Sequence, residues 1–207
     1  MRGLYAIVDQ DTLGTELIPF AEAVLRARPA ALQLRAKQAG ARETLALLRA
    51  LVPLCRAQGV PLFANDRPDL AVLAGTDGVH VGQEDLPVAE VRAFAPTLRV
   101  GVSTHTADEL AAALEATPDY VAFGPVFATR SKAQPDDVVG LGGLERASRA
   151  ARSHGVPLVA IGGIDAPRAA SIAPLADAAA VIAALGRDPA QAEATARALH
   201  LALGGAP

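Results

Sequence analysis

Short apolar runs rich in β-branched residues alternate along the whole chain with longer segments of helical periodicity, and this alternation limits the possible folds more than any other feature. Eight runs have the length of buried strands: 4–9, 31–35, 61–66, 78–82, 99–103, 120–126, 157–163 and 178–184. Eight amphipathic segments follow them, near 16–28, 41–58, 87–95, 107–117, 143–154, 167–175 and 189–203, with a shorter one after Pro68. Strict alternation requires parallel strands joined by right-handed helical crossovers.

Eight such units within 207 residues predict one domain, 1–207, folded as an α/β protein of the (β/α)8 barrel type. An open doubly wound sheet is the alternative. That fold normally carries G-x-G-x-x-G after its first strand, and the segment QDTLGTE at 10–16 lacks it.

Composition narrows the class of function. A net charge of -3 and 3% aromatic residues argue against nucleic-acid binding. The single cysteine, Cys55, excludes an internal disulfide and is predicted to be a small core residue. The apolar runs are too short for a membrane span or a signal peptide. We therefore expect a cytoplasmic protein that acts on small molecules without membrane partners, and a homo-oligomer stays open.

Two residue types are rare, and their positions are informative. Of 19 basic residues only Lys37 and Lys132 are lysines, and Asn65 is the only asparagine. All three fall at the ends of predicted strands. Either the two lysines are present by chance, or they lie where a compact ammonium cannot be replaced by the planar guanidinium of arginine.

Polar side chains cluster at the ends of strands two, three and four, where a barrel of this kind carries its chemistry. Gln33, Arg35 and Lys37 alternate, so they share one face and suit an anionic substrate. Asp66 and Asp85 come from the next two strands. Mg²⁺ takes one or two carboxylates together with phosphate oxygens and water, which makes the two residues candidate metal ligands. Alternatively, each is a helix N-cap.

The remaining strand ends add further candidates. Ser103 and His105 follow strand five and leave open a nucleophile and base pair. Residues 129–132 head a polar loop that reaches Gly143 and is long enough to act as a lid. Strand seven ends at Gly162–Gly163, and strand eight ends near residues 182–183. The loops after these two strands are the usual phosphate site of such barrels. Alternatively, the two glycines form only a turn between strand and helix.

Three other histidines are not assigned to a site. His80 lies in the middle of a predicted strand and is expected to be a packed barrel residue. His154 and His200 lie on predicted helices and are expected at the surface.

Six motifs in this order resemble the thiamine phosphate synthase family. They read QLRAK at 33–37, ND at 65–66, GQED at 82–85, GVSTH at 101–105, ATRSK at 128–132 and IGGI at 161–164. The resemblance implies a Mg²⁺-assisted transferase. It would join 4-amino-2-methyl-5-hydroxymethylpyrimidine diphosphate to a thiazole phosphate, with or without a carboxylate, and release diphosphate.

The resemblance also implies roles for individual residues. Arg35, Lys37, Ser103 and Lys132 would be catalytic and would bind the pyrimidine diphosphate together with Gln33 and Asn65. Asp66 and Asp85 would hold Mg²⁺. The thiazole phosphate would be held by Thr129, Arg130, Ser131, Gly163, Ile182 and Ala183.

The chain departs from the family pattern at three positions. Ala128 and Ser131 replace a proline and a threonine, and Ala183 replaces a serine, which removes one side-chain hydrogen bond to phosphate. Two alternatives stay open. One is the related thiazole tautomerase, which would use His105, and the other is a barrel that binds ligand without catalysis. A complete set of Gln33, Arg35 and Lys37 with both aspartates favours the synthase.

Overall fold

The structure, a computed structural model, describes residues 1–129 and 137–206. Its strands are β1 (Gly3–Asp9), β2 (Ala31–Arg35), β3 (Leu62–Asn65), β4 (Gly78–Val81), β5 (Arg99–Thr104), β6 (Tyr120–Phe123), β7 (Leu158–Ile161) and β8 (Ala178–Val181). Each strand is parallel to the next, and β8 returns to pair with β1, for example Tyr5 with Ala180. This closure confirms the predicted barrel and excludes the open sheet.

The helices cover the outside of the barrel. In the described ranges they are α1 (Gln10–Leu13), α2 (Leu17–Arg26), α3 (Ala41–Gln58), α4 (Pro68–Ala74), α5 (Val88–Phe94), α6 (Ala107–Glu115), α7 (Gly140–Ser153), α8 (Ala166–Ile172) and α9 (Pro189–Ala202). Short 3-10 turns occupy Gly14–Glu16 and Ala183–Leu185. Cys55 is buried in α3, as predicted. Within the described part of the chain, no helix is long and apolar enough to span a bilayer.

Strand β6 ends earlier than predicted. It stops at Phe123 rather than at 126, because Pro125 has no N–H to continue the ladder of hydrogen bonds. Strand β8 likewise stops at Val181, since the following residues turn into the 3-10 segment that begins at Ala183. Helix α1 was not predicted. Its four residues are too few to show a period, and Asp9 caps it by accepting a hydrogen bond from the Asp11 amide.

His200 is not at the surface, so that prediction was wrong. Only 5% of the residue is exposed, and its Nδ1 accepts a hydrogen bond from the Leu4 amide at 3.2 Å. The ring closes the amino-terminal end of the barrel between Gly3 and Gly205. A Cβ at either glycine would lie within 2.6 Å of the imidazole, so the absence of side chains there makes room for it. His154 is exposed, as predicted.

Aromatic rings fill the interior of the barrel. Tyr5, Phe63 and Tyr120 pack against one another with centroids 5.5–5.8 Å apart and with no more than 1% exposure. Gly101 is required beside them, because a Cβ there would lie 2.0 Å from the Tyr120 ring. This layer forms the floor on which the polar side chains at the carboxyl ends of the strands rest.

Candidate active site

A cavity of about 810 Å³ opens at the carboxyl ends of the strands. Most of the predicted site residues line it: Gln33, Arg35, Lys37, Asn65, Asp66, Asp85, Ser103, Thr129, Gly163, Ile182 and Ala183. They come together because every strand of a parallel barrel ends at the same rim. Arg130, Ser131 and Lys132 lie outside the described residues, as does the middle of the predicted lid.

Arg35 is held in place by a residue that the sequence analysis missed. Its Nη1 donates to Asp9 Oδ2 at 2.7 Å, and Asp9 is 6% exposed. The two residues are direct partners in the register of β1 and β2. The sequence contains one signal for this pairing: an acidic residue ends the first predicted strand, and an arginine ends the second. Asp9 fixes the direction in which the guanidinium enters the cavity.

Asp66 and Asp85 are not helix N-caps. Helix α4 is preceded by Arg67 and helix α5 by Pro87, and neither helix start has a side-chain cap. Pro87 therefore lies one position before the helix, rather than in its first turn as predicted. Asp85 Oδ2 instead accepts the Gly82 amide at 2.7 Å. Asp66 has a φ of 62° and donates its amide to the His80 carbonyl at 2.8 Å, which turns its carboxylate toward the cavity.

The two carboxylates form an electrostatically unfavourable pair. Burial raises the pKa of Asp66, and the neighbouring Asp85 raises it further, while Lys37 acts in the opposite direction with its Nζ 3.4 Å from Asp66 Oδ2. The described ranges bring no three metal-ligating side chains together. Two partly buried carboxylates at the rim of the cavity nevertheless match the donor set of Mg²⁺, which completes its shell with phosphate oxygens and water.

The opposite wall is built from glycine. Gly162 and Gly163 have φ values of 99° and 63°, and a Cβ at Gly163 would lie 2.4 Å from the Ala128 carbonyl oxygen. Any other residue at either position would therefore strain the turn. The same turn brings bare backbone to the cavity next to Ile182 and Ala183, where a 3-10 segment begins. Amide groups at such a start have no intrahelical acceptor and are suited to an anion.

A row of hydrogen-bonded side chains crosses the cavity floor, and we call it the polar row: Asn65, Gln33, Tyr5, Tyr120, His80 and Ser103. Its links measure 2.6, 2.9, 2.8, 2.8 and 2.7 Å in that order. Burial lowers the pKa of His80 to about 4, with Asp85 acting weakly in the other direction, so its ring is neutral at pH 7. Burial likewise raises the pKa of both Tyr5 and Tyr120.

The predicted alternative of a Ser103 and His105 pair is wrong. His105 Nδ1 contacts the Gly124 carbonyl at 2.7 Å, and its amide donates to Glu109. The partner of Ser103 is His80, which is packed inside the barrel as expected but also lines the cavity. Sequence reasoning missed this contact, because the separation of 23 residues carries no local signal.

The family model described as thiamine monophosphate synthase matches residues 4–185. The chain belongs to this family. A thiamine-phosphate synthase from Koribacter versatilis is 48% identical in an alignment of length 199 that covers 91% of this chain and 90% of that protein. One from Roseiflexus sp. is 39% identical in an alignment of length 208 that covers 98% of this chain and 86% of the relative.

Solved structures agree with membership of the thiamine monophosphate synthase family. A thiamine phosphate pyrophosphorylase from Pyrococcus furiosus superposes with a TM-score of 0.86 at 30% identity, over 97% of this chain and 95% of that one. Tryptophan synthase subunit alpha from Legionella pneumophila, at 18% identity and a TM-score of 0.68 over 98% and 92% of the two chains, shares only the fold. As a family member, the chain is a transferase of thiamine biosynthesis.

Proposed function

We propose that this chain joins 4-amino-2-methyl-5-hydroxymethylpyrimidine diphosphate to a thiazole phosphate and releases diphosphate and thiamine phosphate, in the cytoplasm. The observation that carries the proposal is one cavity with two walls whose groups are suited to anions. Arg35, Lys37 and the two aspartates face it from one side, and the glycine turn at Gly163 faces it from the other. Two phosphorylated substrates need two such walls, whereas a tautomerase acting on the thiazole alone needs one.

The diphosphate belongs on the wall built by β2, β3 and β4. Arg35 is oriented by Asp9, and Lys37 lies beside Asp66, so both cations are held at the rim rather than free in solvent. Asp66 and Asp85 would hold Mg²⁺, which supplies positive charge to the departing diphosphate when bound. In this proposal Lys132 completes the group, and Ser103 contacts the pyrimidine part of the same substrate.

The thiazole phosphate belongs on the wall built by β7 and β8. The amides of Gly163, Ile182 and Ala183 would bind its oxygens, together with Thr129, Arg130 and Ser131. Ala183 offers no hydroxyl, so this wall relies on backbone donors. Those amides are fixed by the turn before substrate arrives, so little entropy is lost when phosphate binds.

In the proposed reaction, negative charge develops on the leaving diphosphate and positive charge on the methylene carbon, and both must be stabilised. The C–O bond between the pyrimidine methylene and the diphosphate breaks as Lys37 and Arg35 neutralise the leaving group. The electron-rich aminopyrimidine stabilises the developing positive charge on the methylene carbon, and the thiazole nitrogen attacks it. A thiazole carboxylate, where present, leaves as carbon dioxide, and the ring carbon that held it takes up a proton from water.

The test mixes both substrates with the chain and Mg²⁺ and follows diphosphate release and thiamine phosphate formation together. Equal amounts of the two products support the proposal. Rearrangement of the thiazole without diphosphate release would assign the tautomerase instead, and binding without any product would assign a non-catalytic barrel. Asp85→Asn is the matched control, since it removes one carboxylate and conserves size.

A further inference from the structure

The polar row takes one side chain from each of the first six strands: Tyr5, Gln33, Asn65, His80, Ser103 and Tyr120. All six members line the cavity. Gln33 and His80 are buried, at 3% and 7% exposure, while Asn65 and Ser103 at the two ends are only partly buried. Among the described buried side chains, the single polar atom without a partner is Gln10 Oε1, which is not part of the row. Every buried polar side-chain atom of the row is therefore satisfied by at least one hydrogen bond.

A row that is satisfied in this way has a direction. Each tyrosine hydroxyl carries one proton, so each must donate to one neighbour and accept from the other. The Gln33 amide nitrogen donates to Asn65 Oδ1, and Tyr5 donates to Gln33 Oε1. The proton of Tyr120 must then point to Tyr5, and Tyr120 must accept from His80 Nδ1. All the links consequently run the same way, from Ser103 toward Asn65.

We propose that His80 is a positioning residue whose ring is held by the row as the Nδ1–H tautomer, so that Nε2 accepts a hydrogen bond from the Ser103 hydroxyl and leaves the serine oxygen facing the cavity as a hydrogen-bond acceptor. At the other end, the Asn65 carbonyl is occupied by Gln33, so Asn65 presents amide hydrogens. The row thereby selects a ligand with a hydrogen-bond donor facing Ser103 on β5 and a hydrogen-bond acceptor facing Asn65 on β3.

This role has a physical reason. A serine hydroxyl that is free to rotate can donate or accept, and it adapts to either kind of ligand atom. Because its hydroxyl donates its hydrogen bond to the buried imidazole 2.7 Å away, Ser103 can no longer donate into the cavity. If a ligand placed a hydrogen-bond acceptor opposite Ser103, the two acceptors would face each other without a proton between them. An unsatisfied polar group in a buried site strongly weakens binding.

The first test reads the tautomer directly and does not depend on activity. The chain is labelled with ¹⁵N at histidine, and ring nitrogens are correlated with ring protons at pH 7.5. The His80 signals are assigned by their loss in His80→Asn. We expect Nδ1 to be protonated and Nε2 bare. The opposite tautomer in the unaltered chain would overturn the proposal.

The second test perturbs the row from a distance. In Tyr5→Phe the hydroxyl proton of Tyr120 loses its acceptor and can turn toward His80 Nδ1, so the ratio of tautomers should move toward Nε2–H by about fivefold or more. Tyr120→Phe, which removes the acceptor for Nδ1–H itself, should shift it in the same direction. Phe63→Leu alters the same aromatic layer without a hydroxyl and should leave the ratio unchanged. An unchanged ratio in both tyrosine variants would contradict the proposal.

The third test is kinetic and rests on the proposed function. Ser103→Ala and His80→Asn should each lower kcat roughly tenfold or more. Because His80 acts through Ser103, the double variant should be no slower than Ser103→Ala alone, whereas losses that multiply would count against coupling. A chain without synthase activity would defeat the proposed function but leave the tautomer measurements valid, so the two failures are distinguishable.

Discussion

The buried histidine of the polar row should make the protein sensitive to acid. Burial lowers the pKa of His80 to about 4 in the folded chain, while an unfolded histidine titrates near 6.5. A base whose pKa falls on folding stabilises the fold above its unfolded pKa, and this contribution is lost as the pH falls toward the folded value. Between pH 6.5 and 5.0 the loss covers 1.5 pH units, or about 2 kcal/mol of unfolding free energy.

Urea unfolding at pH 7.5 and pH 5.0, with EDTA present, measures this loss. His80→Asn cannot titrate, so its unfolding free energy should fall by about 2 kcal/mol less than that of the unaltered chain. His200, whose pKa is also lowered by burial, remains in both proteins and cancels from the difference. His154→Asn, at an exposed position, should behave like the unaltered chain. Equal losses in the unaltered chain and in His80→Asn would refute the reasoning.

Four further substitutions test the walls of the cavity. Asp66→Asn and Asp85→Asn should each lower turnover by at least ~100-fold, because each removes a proposed Mg²⁺ ligand. Neither should lower the urea midpoint of unfolding, since each relieves repulsion between two carboxylates. Near-normal activity in both variants would refute the cation site. Lys37→Arg should lower kcat/KM by roughly tenfold, because the bulkier guanidinium cannot take the place of the ammonium. The surface change Arg152→Lys is its control. Full activity of Lys37→Arg would mean that a positive charge alone suffices at this position. Gly163→Ala should lower the unfolding free energy by at least ~1–2 kcal/mol and raise the KM for thiazole phosphate. An unchanged KM would mean that the thiazole phosphate does not bind at the wall built by β7 and β8.

Much of the site could be predicted because it depends on short-range patterns. Gln33, Arg35 and Lys37 alternate within one strand, so their common direction follows from the period of two alone. Asp66 and Asp85 each follow a strand, and parallel strands deliver their ends to one rim whatever the details of packing. The strand bounds were less accurate where a local rule was overlooked, as at Pro125 in β6.

Contacts between distant segments could not be predicted. The pairing of Asp9 with Arg35 depends on the register of β1 against β2, and the contact of His80 with Ser103 depends on that of β4 against β5. The burial of His200 depends on how α9 lies against the amino-terminal end of the barrel, where two glycines leave space for the ring. None of these arrangements produces a pattern within a window of a few turns.

The sequence by itself determined the barrel, the rim and the kinds of side chain on it, because alternation of strand and helix and the polarity of strand ends are properties of neighbouring residues. Only the tertiary structure decided which of those side chains hold one another, and in which direction the protons of the polar row point. Hydrogen bonds are satisfied pairwise across a closed sheet, so the partner of His80 is set by the register of strands that lie far apart in the chain.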